Sequence, residues 1–292
     1  MSERDVLKEL SRVETLPALP DIVTRVLAVL DAEDTEMSTV SDLISQDPVM
    51  TGQLLRSANS VFYNASGMST TSVHEAVGRI GLREVRNLVV SLGVVDAFDE
   101  PGGSFDFIGF WRHCFTVAVA SGKVAMSIPS LAKPARPRDN PYFLAGLLHD
   151  IGTLLLCDHL GEEYLELIAL AEQQGLPLHE LEREHLGADH QQVGAALIRR
   201  WGLPLEVAAA AEHHHHASDA PDDGRDYVLV VSAADVAIGQ AGRGSPAERF
   251  APADDSALAE LGIGADELAA MAADVALASE ASDSLLAVAL AP

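Results

Sequence analysis

Aromatic residues and cysteines are scarce in this chain, and both shortages limit what it can be. Aromatic side chains make up only 5% of the 292 residues, so the core must be built mainly from Leu, Val, Ile and Ala. That composition favours helices. The two cysteines, Cys114 and Cys157, form no C-x-x-C pair and provide no disulfide framework. Such usage is typical of a protein in a reducing cytoplasm.

Positive charge is scarce as well. The chain has 19 Lys and Arg against 44 Asp and Glu, which gives a net charge of −25. A nucleic-acid backbone would be repelled, so general nucleic-acid binding is not expected. The N-terminus has no basic segment followed by an apolar one, and no apolar run is expected to reach the length of a membrane span. We therefore expect a cytoplasmic protein without a membrane partner.

Apolar residues recur at helical spacing through the first hundred residues. Two prolines in Leu16-Pro-Ala-Leu-Pro20 bar a continuous helix, and Asp21 follows as the predicted N-cap of a helix over 22–30. Gly81 separates two later helices. Residues 1–100 are therefore predicted to form an N-terminal helical subdomain.

The rest of the chain continues the helical pattern after a candidate linker at Asp99–Ser104. Residues 105–240 are predicted to form a second helical subdomain. Residues 241–292 are acidic and rich in Ala and Leu, which predicts an extension of two or three short helices. This extension could cover the bundle or pair with a second chain, so an oligomer is allowed. The expected fold class is all-α.

An adjacent imidazole and carboxylate, His149-Asp150, end the mostly apolar run that begins at Tyr142. A buried His beside a buried Asp is costly unless something pairs with both. A divalent metal does so, because neutral imidazole and carboxylate are common ligands. A single His-Asp pair is more often structural, so the metal interpretation depends on the spacing of the other histidines.

Four segments of the N-terminal half form an ordered series: Leu16-Pro-Ala-Leu-Pro20, Leu43-Ile-Ser-Gln-Asp-Pro48, Leu54-Leu-Arg-Ser-Ala-Asn-Ser60 and Ala76-Val-Gly-Arg-Ile-Gly-Leu82. In this order they resemble the signature of HDOD proteins, the "HD-related output domain" of bacterial signalling. The resemblance covers roughly residues 14 to 216. It implies an N-terminal helical bundle packed on a C-terminal HD-domain-like helical bundle.

The resemblance also implies a set of metal ligands, because HD-domain phosphohydrolases use a His, a His-Asp doublet, further histidines and a closing Asp. Carried over by position, the implied ligands of a first ion are His113, His149, Asp150 and Asp235. Those of a second ion are Asp150, His190 and two residues of the run 213–216, namely His214 and His215 by their distance from Pro204. Asp150 is also the candidate catalytic residue. The implied cofactor is two ions of a divalent transition metal, and Fe, Mn, Zn and Ni are not distinguished.

Three positions depart from the pattern of catalytic relatives. Thr153 stands where they commonly carry a Lys, and Gly109 stands where some carry a Glu for a third metal. Residues 217–224 lack the Gly-Tyr-Pro motif of the HD-GYP group. Cyclic-di-GMP hydrolysis of that type is therefore disfavoured.

A second candidate site is basic. Arg79, Arg83 and Arg86 are spaced i, i+4 and i+7, so they could share a helix face that binds an anion or an acidic partner. A solvated face with local ion pairs is the alternative. The remaining isolated histidines, at positions 74, 159, 179 and 185, are interpreted as surface or packing residues.

Two functions remain open on this basis. The first is an HDOD signalling output protein that acts mainly as a binding module, for a signalling protein or a nucleotide ligand, and carries an HD-type metal site. The second is a metal-dependent phosphohydrolase that acts on a nucleotide or phosphodiester through a binuclear centre. The departures favour the first function, and the nearly complete ligand set favours the second.

Overall fold

The structure, a computed structural model, describes residues 4–13, 15–32, 34–60, 63–64, 67–131, 142–242 and 255–290. No strand occurs within these ranges, which confirms the all-α prediction. The α-helices are α1 (Val6–Ser11), α2 (Asp21–Leu30), α3 (Met37–Ile44), α4 (Pro48–Asn59), α5 (Val73–Ile80), α6 (Leu82–Asp96), α7 (Phe107–Ser127), α8 (Phe143–Leu148), α9 (Ile151–Leu160), α10 (Glu162–Gln174), α11 (Leu178–Leu186), α12 (His190–Arg200), α13 (Leu205–His213), α14 (Arg225–Gln240), α15 (Asp255–Leu261) and α16 (Ala265–Ala289).

Two compact units make up the described chain. The smaller unit contains residues 18–99 and 280–290, and the larger unit contains the described residues up to 17, from 100 to 131 and from 142 to 279. The sequence pattern predicts α1 in the N-terminal subdomain, whereas α1 groups with the larger unit. The segments on either side of α1 contact the larger unit. The Trp201 indole donates to the Pro17 carbonyl at 3.0 Å, and Arg4 pairs with Glu163.

The smaller unit packs α2 to α6 around buried aliphatic side chains such as Val26 and Leu54. Its helix starts follow local chemistry, since the Asp47 carboxylate accepts the Met50 amide at 2.8 Å. One cap prediction is corrected. Asp21 is the first residue of α2, and its side chain caps nothing, because the extended Pro20 is the N-cap residue and its carbonyl starts the helix.

The break at Gly81 is a backbone feature of the same unit. Its φ of 89° lies in the region that glycine adopts easily, and its amide closes α5 by donating to the Val77 carbonyl at 2.7 Å. The chain then starts α6 at once, at Leu82. The predicted pair of helices is therefore present, as α5 and α6.

One apolar stretch of the larger unit is longer than the sequence pattern suggested. Phe143–Leu160 is long and apolar enough to cross a membrane by length and composition, which corrects the expectation that no such run exists. However, 83% of this stretch is buried inside the protein. It also contains the turn between α8 and α9, and it forms the core of the larger unit.

The C-terminal extension differs from its prediction. Instead of two or three short helices, α15 is followed by one continuous helix of 25 residues, α16. No Gly or Pro interrupts residues 265–289, and Ala and Leu are strong helix formers. Residues 243–254 of the predicted extension lie outside the described residues.

Candidate metal centre

The His149-Asp150 doublet lies in the turn between two buried helices. α8 ends at Leu148 and α9 begins at Ile151, so the doublet is not inside a regular helix. Both side chains have no exposed surface. A buried carboxylate must be compensated by donors or a cation. The surroundings of this turn therefore decide what it can do.

Two glycines let neighbouring helices approach this turn. A Cβ on Gly146 would lie 2.8 Å from the Ala118 Cα of α7, and one on Gly152 would lie 1.9 Å from the His190 carbonyl oxygen of α12. Side chains at these positions would push the helices apart. The glycines thus bring the doublet close to His113 on α7 and to His190 on α12.

The first group of predicted ligands joins α7, the turn and α14. The Nε2 atoms of His113 and His149 are 3.3 Å apart, and His113 Nε2 lies 3.3 Å from an Asp235 carboxylate oxygen. His149 Nε2 is 3.6 Å from Asp150 Oδ2. Ligand atoms of His113, His149 and Asp150 all lie within 4.8 Å of one another. This spacing suits a single ion.

The second group uses the other oxygen of the same carboxylate. Asp150 Oδ1 lies 3.5 Å from His190 Nε2 and 3.4 Å from His214 Nε2. His215 completes the group, with all four ligand atoms within 4.8 Å. Asp150 therefore belongs to both groups, one oxygen facing each side.

Local contacts fix the histidines that follow α13. The Ser232 hydroxyl of α14 donates to the His214 carbonyl at 2.7 Å, and the His215 amide donates to Gln191 Oε1 at 3.3 Å. Asp235 lies one turn after Ser232 on α14. Of the run 213–216, the structure thus brings His214 and His215 to Asp150, the two positions implied by the resemblance.

Two buried residues that connect to the candidate centre were missed by sequence reasoning. Glu182 of α11 and Tyr164 of α10 are fully buried, and the Tyr164 hydroxyl donates to Glu182 Oε1. Glu182 Oε2 accepts from His190 Nδ1 at 2.7 Å. A signal existed, because Glu182 lies on the same helical stripe as the apolar residues Leu178 and Leu186. A carboxylate on a core-facing stripe indicates a buried polar partner.

Electrostatics differ between the histidines of the second group. Burial disfavours a charged His190, but Glu182, Asp150 and Asp189 outweigh burial and raise its pKa to about 10. Burial lowers the pKa of His214, and the attraction of Asp150 only partly opposes this effect. Without an ion, the second group is thus suited to hold a proton at His190.

The donor set fits a divalent transition metal. The Nε2 atoms of His190 and His214 are buried and make no hydrogen bond with any described residue. Their Nδ1 atoms face Glu182 and the Ala211 carbonyl, so Nε2 is the ring atom that each histidine can offer to an ion once it carries no proton. Neutral imidazole and carboxylate together suit Zn, Fe, Mn and Ni.

His179 packs beside this centre, as expected for a packing residue. Its ring stacks on His215, with centroids 4.7 Å apart, and meets His216 edge-on. Burial, and then repulsion from His190, lower the pKa of His179 to about 3. It therefore stays neutral against the candidate ligands.

The predicted arginine face lies in the smaller unit. Arg79 donates to the Ala58 carbonyl at 2.9 Å, and Arg86 pairs with Asp31. Arg83 is exposed between them. Two of the three guanidinium groups thus have partners within the smaller unit, and Arg79 lies on α5 while the other two lie on α6. Anion binding at these arginines stays a prediction.

A separate cavity of about 370 Å³ lies in the larger unit, between the second half of α7 and the α15–α16 region. None of the predicted ligands lines it. Its walls are mainly apolar, with Lys123, Glu267 and Asp274 at its polar positions. It has no part in the histidine centre.

Comparison with known proteins agrees with this helical architecture. The chain matches the HDOD domain family over residues 16–217. This chain belongs to the HDOD family. The match confirms the resemblance found in the four N-terminal segments, and it covers both those segments and the histidines up to position 216.

Two solved structures and one further sequence are similar to this chain over most of its length. An HDOD domain protein of unknown function from Geobacter sulfurreducens has the same fold, with a TM-score of 0.74, 24% identity and coverage of 96% of both chains. A protein from Shewanella amazonensis, provisionally described as a phosphohydrolase, is 26% identical with a TM-score of 0.69 and coverage of 94% and 97%. An uncharacterised protein of Treponema pallidum is 25% identical over 78% of this chain, which spans only 43% of that relative.

Proposed function

We propose that this HDOD protein is a cytoplasmic signalling output module that holds two divalent transition-metal ions and acts mainly by binding a signalling protein or a nucleotide ligand. The observation that carries the metal part is the orientation of Asp150. One carboxylate oxygen faces His149, and the other faces His190 and His214. A buried carboxylate between two groups of neutral imidazoles is suited to bridge two cations.

Binding rather than turnover is favoured by the composition of the centre. The candidate ligands His149, Asp150 and His190 have no exposed surface. Thr153, which is also buried, replaces the lysine that would face a phosphate in catalytic relatives. In this proposal, the ions stabilise the fold around α8 and α9. The surface that binds the signalling protein or the nucleotide lies elsewhere on the module.

Phosphoester hydrolysis is the second candidate, and two observations favour it. The Shewanella amazonensis protein described provisionally as a phosphohydrolase is similar over nearly all of both chains. Asp235 and His215 are the least buried candidate ligands, so they mark a side from which a substrate could approach. Bound ions would lower the pKa of a water and balance the charge of a phosphoryl group. Asp150 would hold both ions in place.

Elemental analysis of untagged protein, purified without chelators, tests the shared part of both candidates. We expect about two equivalents of a transition metal per chain, as the two ligand groups predict. Metal-free protein that cannot be reconstituted with Zn, Mn, Fe or Ni would contradict the metal centre and both functions that depend on it.

Turnover then separates the two candidates. The metal-loaded protein is incubated with bis(4-nitrophenyl) phosphate and with common nucleotides, and product is measured beside nucleotide binding by calorimetry. Retained metal without turnover supports the binding module. Turnover that disappears in Asp150→Asn supports the hydrolase and contradicts a purely binding role.

A further inference from the structure

A buried chain of hydrogen bonds leads from α10 through α11 to the candidate metal centre. The Tyr164 hydroxyl donates to one oxygen of Glu182, and the other oxygen accepts from His190 Nδ1 at 2.7 Å and from the His190 amide at 2.8 Å. All three side chains have no exposed surface. These donors compensate a carboxylate that burial would otherwise make very costly.

This chain determines the state of the His190 ring. A carboxylate only accepts hydrogen bonds, so His190 Nδ1 must carry a proton toward Glu182. Nε2 is then the atom that faces Asp150 Oδ1, at 3.5 Å. A proton on Nε2 compensates Asp150 when no ion is bound, and a metal ion that displaces this proton would take over the same role.

Two other histidines of the cluster, His149 and His214, have neutral partners. His149 Nδ1 contacts the Gly146 carbonyl at 2.7 Å, and His214 Nδ1 contacts the Ala211 carbonyl at 2.9 Å. A carbonyl is neutral, whereas the partner of His190 is an anion. A carboxylate on the far nitrogen makes an imidazole a more basic ligand and orients it more strongly. Of these three histidines, His190 is therefore the one whose far nitrogen is held by an anion, and it belongs to the second ligand group.

We propose that Glu182 and Tyr164 are positioning residues that make the His190 group the tighter of two ion positions, so that one metal ion binds there before the other position fills. Glu182 acts through His190, and Tyr164 acts through Glu182. This inference rests on the proposed metal centre and specifies how that centre loads.

Titration of the full-length, metal-stripped protein with Co²⁺ tests the proposal, because visible absorption reports the ligand field of each ion. We expect two resolved steps in the wild type. Glu182→Gln, which keeps the shape but removes the anion, should weaken the tighter step about 10- to 100-fold and change its spectrum, while the weaker step keeps its affinity and spectrum. Tyr164→Phe should weaken the same step by a smaller factor.

Tyr142→Phe is the matched control. It also removes the hydroxyl of a buried tyrosine in the larger unit, one that faces Asp226 at 3.5 Å and not the ligand chain. We expect both Co²⁺ steps to be unchanged in this variant. If Glu182→Gln does not fold by circular dichroism, the Tyr164→Phe titration decides, since that variant keeps the carboxylate.

The outcomes distinguish a failure of the ordered loading from a failure of the metal centre. A wild type that binds no Co²⁺ contradicts the metal centre itself. Two ions bound with indistinguishable affinities overturn the ordered loading. Variants that weaken both steps equally, or neither step, overturn the positioning role while the metal centre stands.

Discussion

The histidine cluster was implied by the family resemblance and the arginine trio by spacing along the chain, and the structure gives the two groups different surroundings. The histidines come from segments far apart in the sequence, and their ring nitrogens meet around one carboxylate. The arginines are neighbours in the sequence, and two of them contact other helices or turns of the same unit, through the Ala58 carbonyl and the Asp31 carboxylate. The spacing of the arginines predicts one helix face, but Arg79 lies on α5, whereas Arg83 and Arg86 lie on α6, beyond the break at Gly81. Convergence of distant, buried polar groups is the stronger indication of a ligand.

Among the variants considered, removal of the His149-Asp150 doublet is expected to have the largest effect, and the property affected is metal binding. His149→Ala combined with Asp150→Ala should abolish metal retention, because Asp150 serves both ligand groups. Metal content measured by elemental analysis checks this. The control is His185→Ala on α11, an exposed histidine whose Nδ1 contacts the Leu181 carbonyl. Unchanged metal in the double variant would contradict the site assignment.

A change that spares every ligand should also damage the cluster. Gly152→Ala places a methyl group 1.9 Å from the His190 carbonyl oxygen, so α9 and α12 must separate. We expect a loss of roughly 1–3 kcal/mol in unfolding free energy, as in overpacked cores, together with weaker metal binding. Urea unfolding and a metal titration measure the two effects.

Gly239→Ala on α14 is the matched control, since a Cβ added at this glycine would meet no atom within 4 Å. Alanine in an open helical position should be neutral or stabilise by about 0.5–1 kcal/mol. Equal losses of unfolding free energy in Gly152→Ala and Gly239→Ala would contradict the role of Gly152 in the close approach of α9 to α12.

Acid should weaken the metal-free protein through His179. Its pKa is about 3 in the folded chain and near 6.5 when unfolded, because burial and His190 oppose its charge. The unfolded state therefore takes up a proton that the native state refuses. Stability is complete above about pH 6.5 and declines as the pH falls toward 3.

His179→Gln removes this titration, so its urea midpoint should fall less than that of the wild type between pH 7 and pH 5. The comparison uses metal-free protein for both chains. If the two midpoints fall in parallel, His179 does not contribute to acid sensitivity, and its stacking on His215 is only packing.

The smallest effects are expected in the arginine trio. Arg79→Ala should cost about 1 kcal/mol of unfolding free energy, because its guanidinium bonds a backbone carbonyl. Arg83→Ala should stay within about 0.5 kcal/mol, as exposed substitutions usually do. Urea unfolding measures both. Phosphate binding that is weakened in Arg83→Ala would instead revive the anion-binding face and erase the contrast with the histidines.

Several features could be predicted from the sequence because they depend on local period and local chemistry. Helical spacing predicted the all-α class, and Gly81 marked a boundary between two helices that the structure keeps. The length of α16 was underestimated, since no local signal states whether neighbouring helical segments fuse. The ordered segments before residue 83 were enough to identify the family, which the match over residues 16–217 confirms.

The sequence by itself thus determined the helical class, the family and the His149-Asp150 doublet as the point to examine. Only the tertiary structure showed that the ligand atoms of His190, His214 and His215 lie close to Asp150, and that Glu182 and Tyr164 join His190 in a buried chain of hydrogen bonds. The physical reason is distance along the chain. The spacing of hydrophobic residues specifies which face of a helix is buried. The meeting of α7, α9, α12 and α14 at one carboxylate depends instead on close packing between helices, including the approach that Gly146 and Gly152 permit.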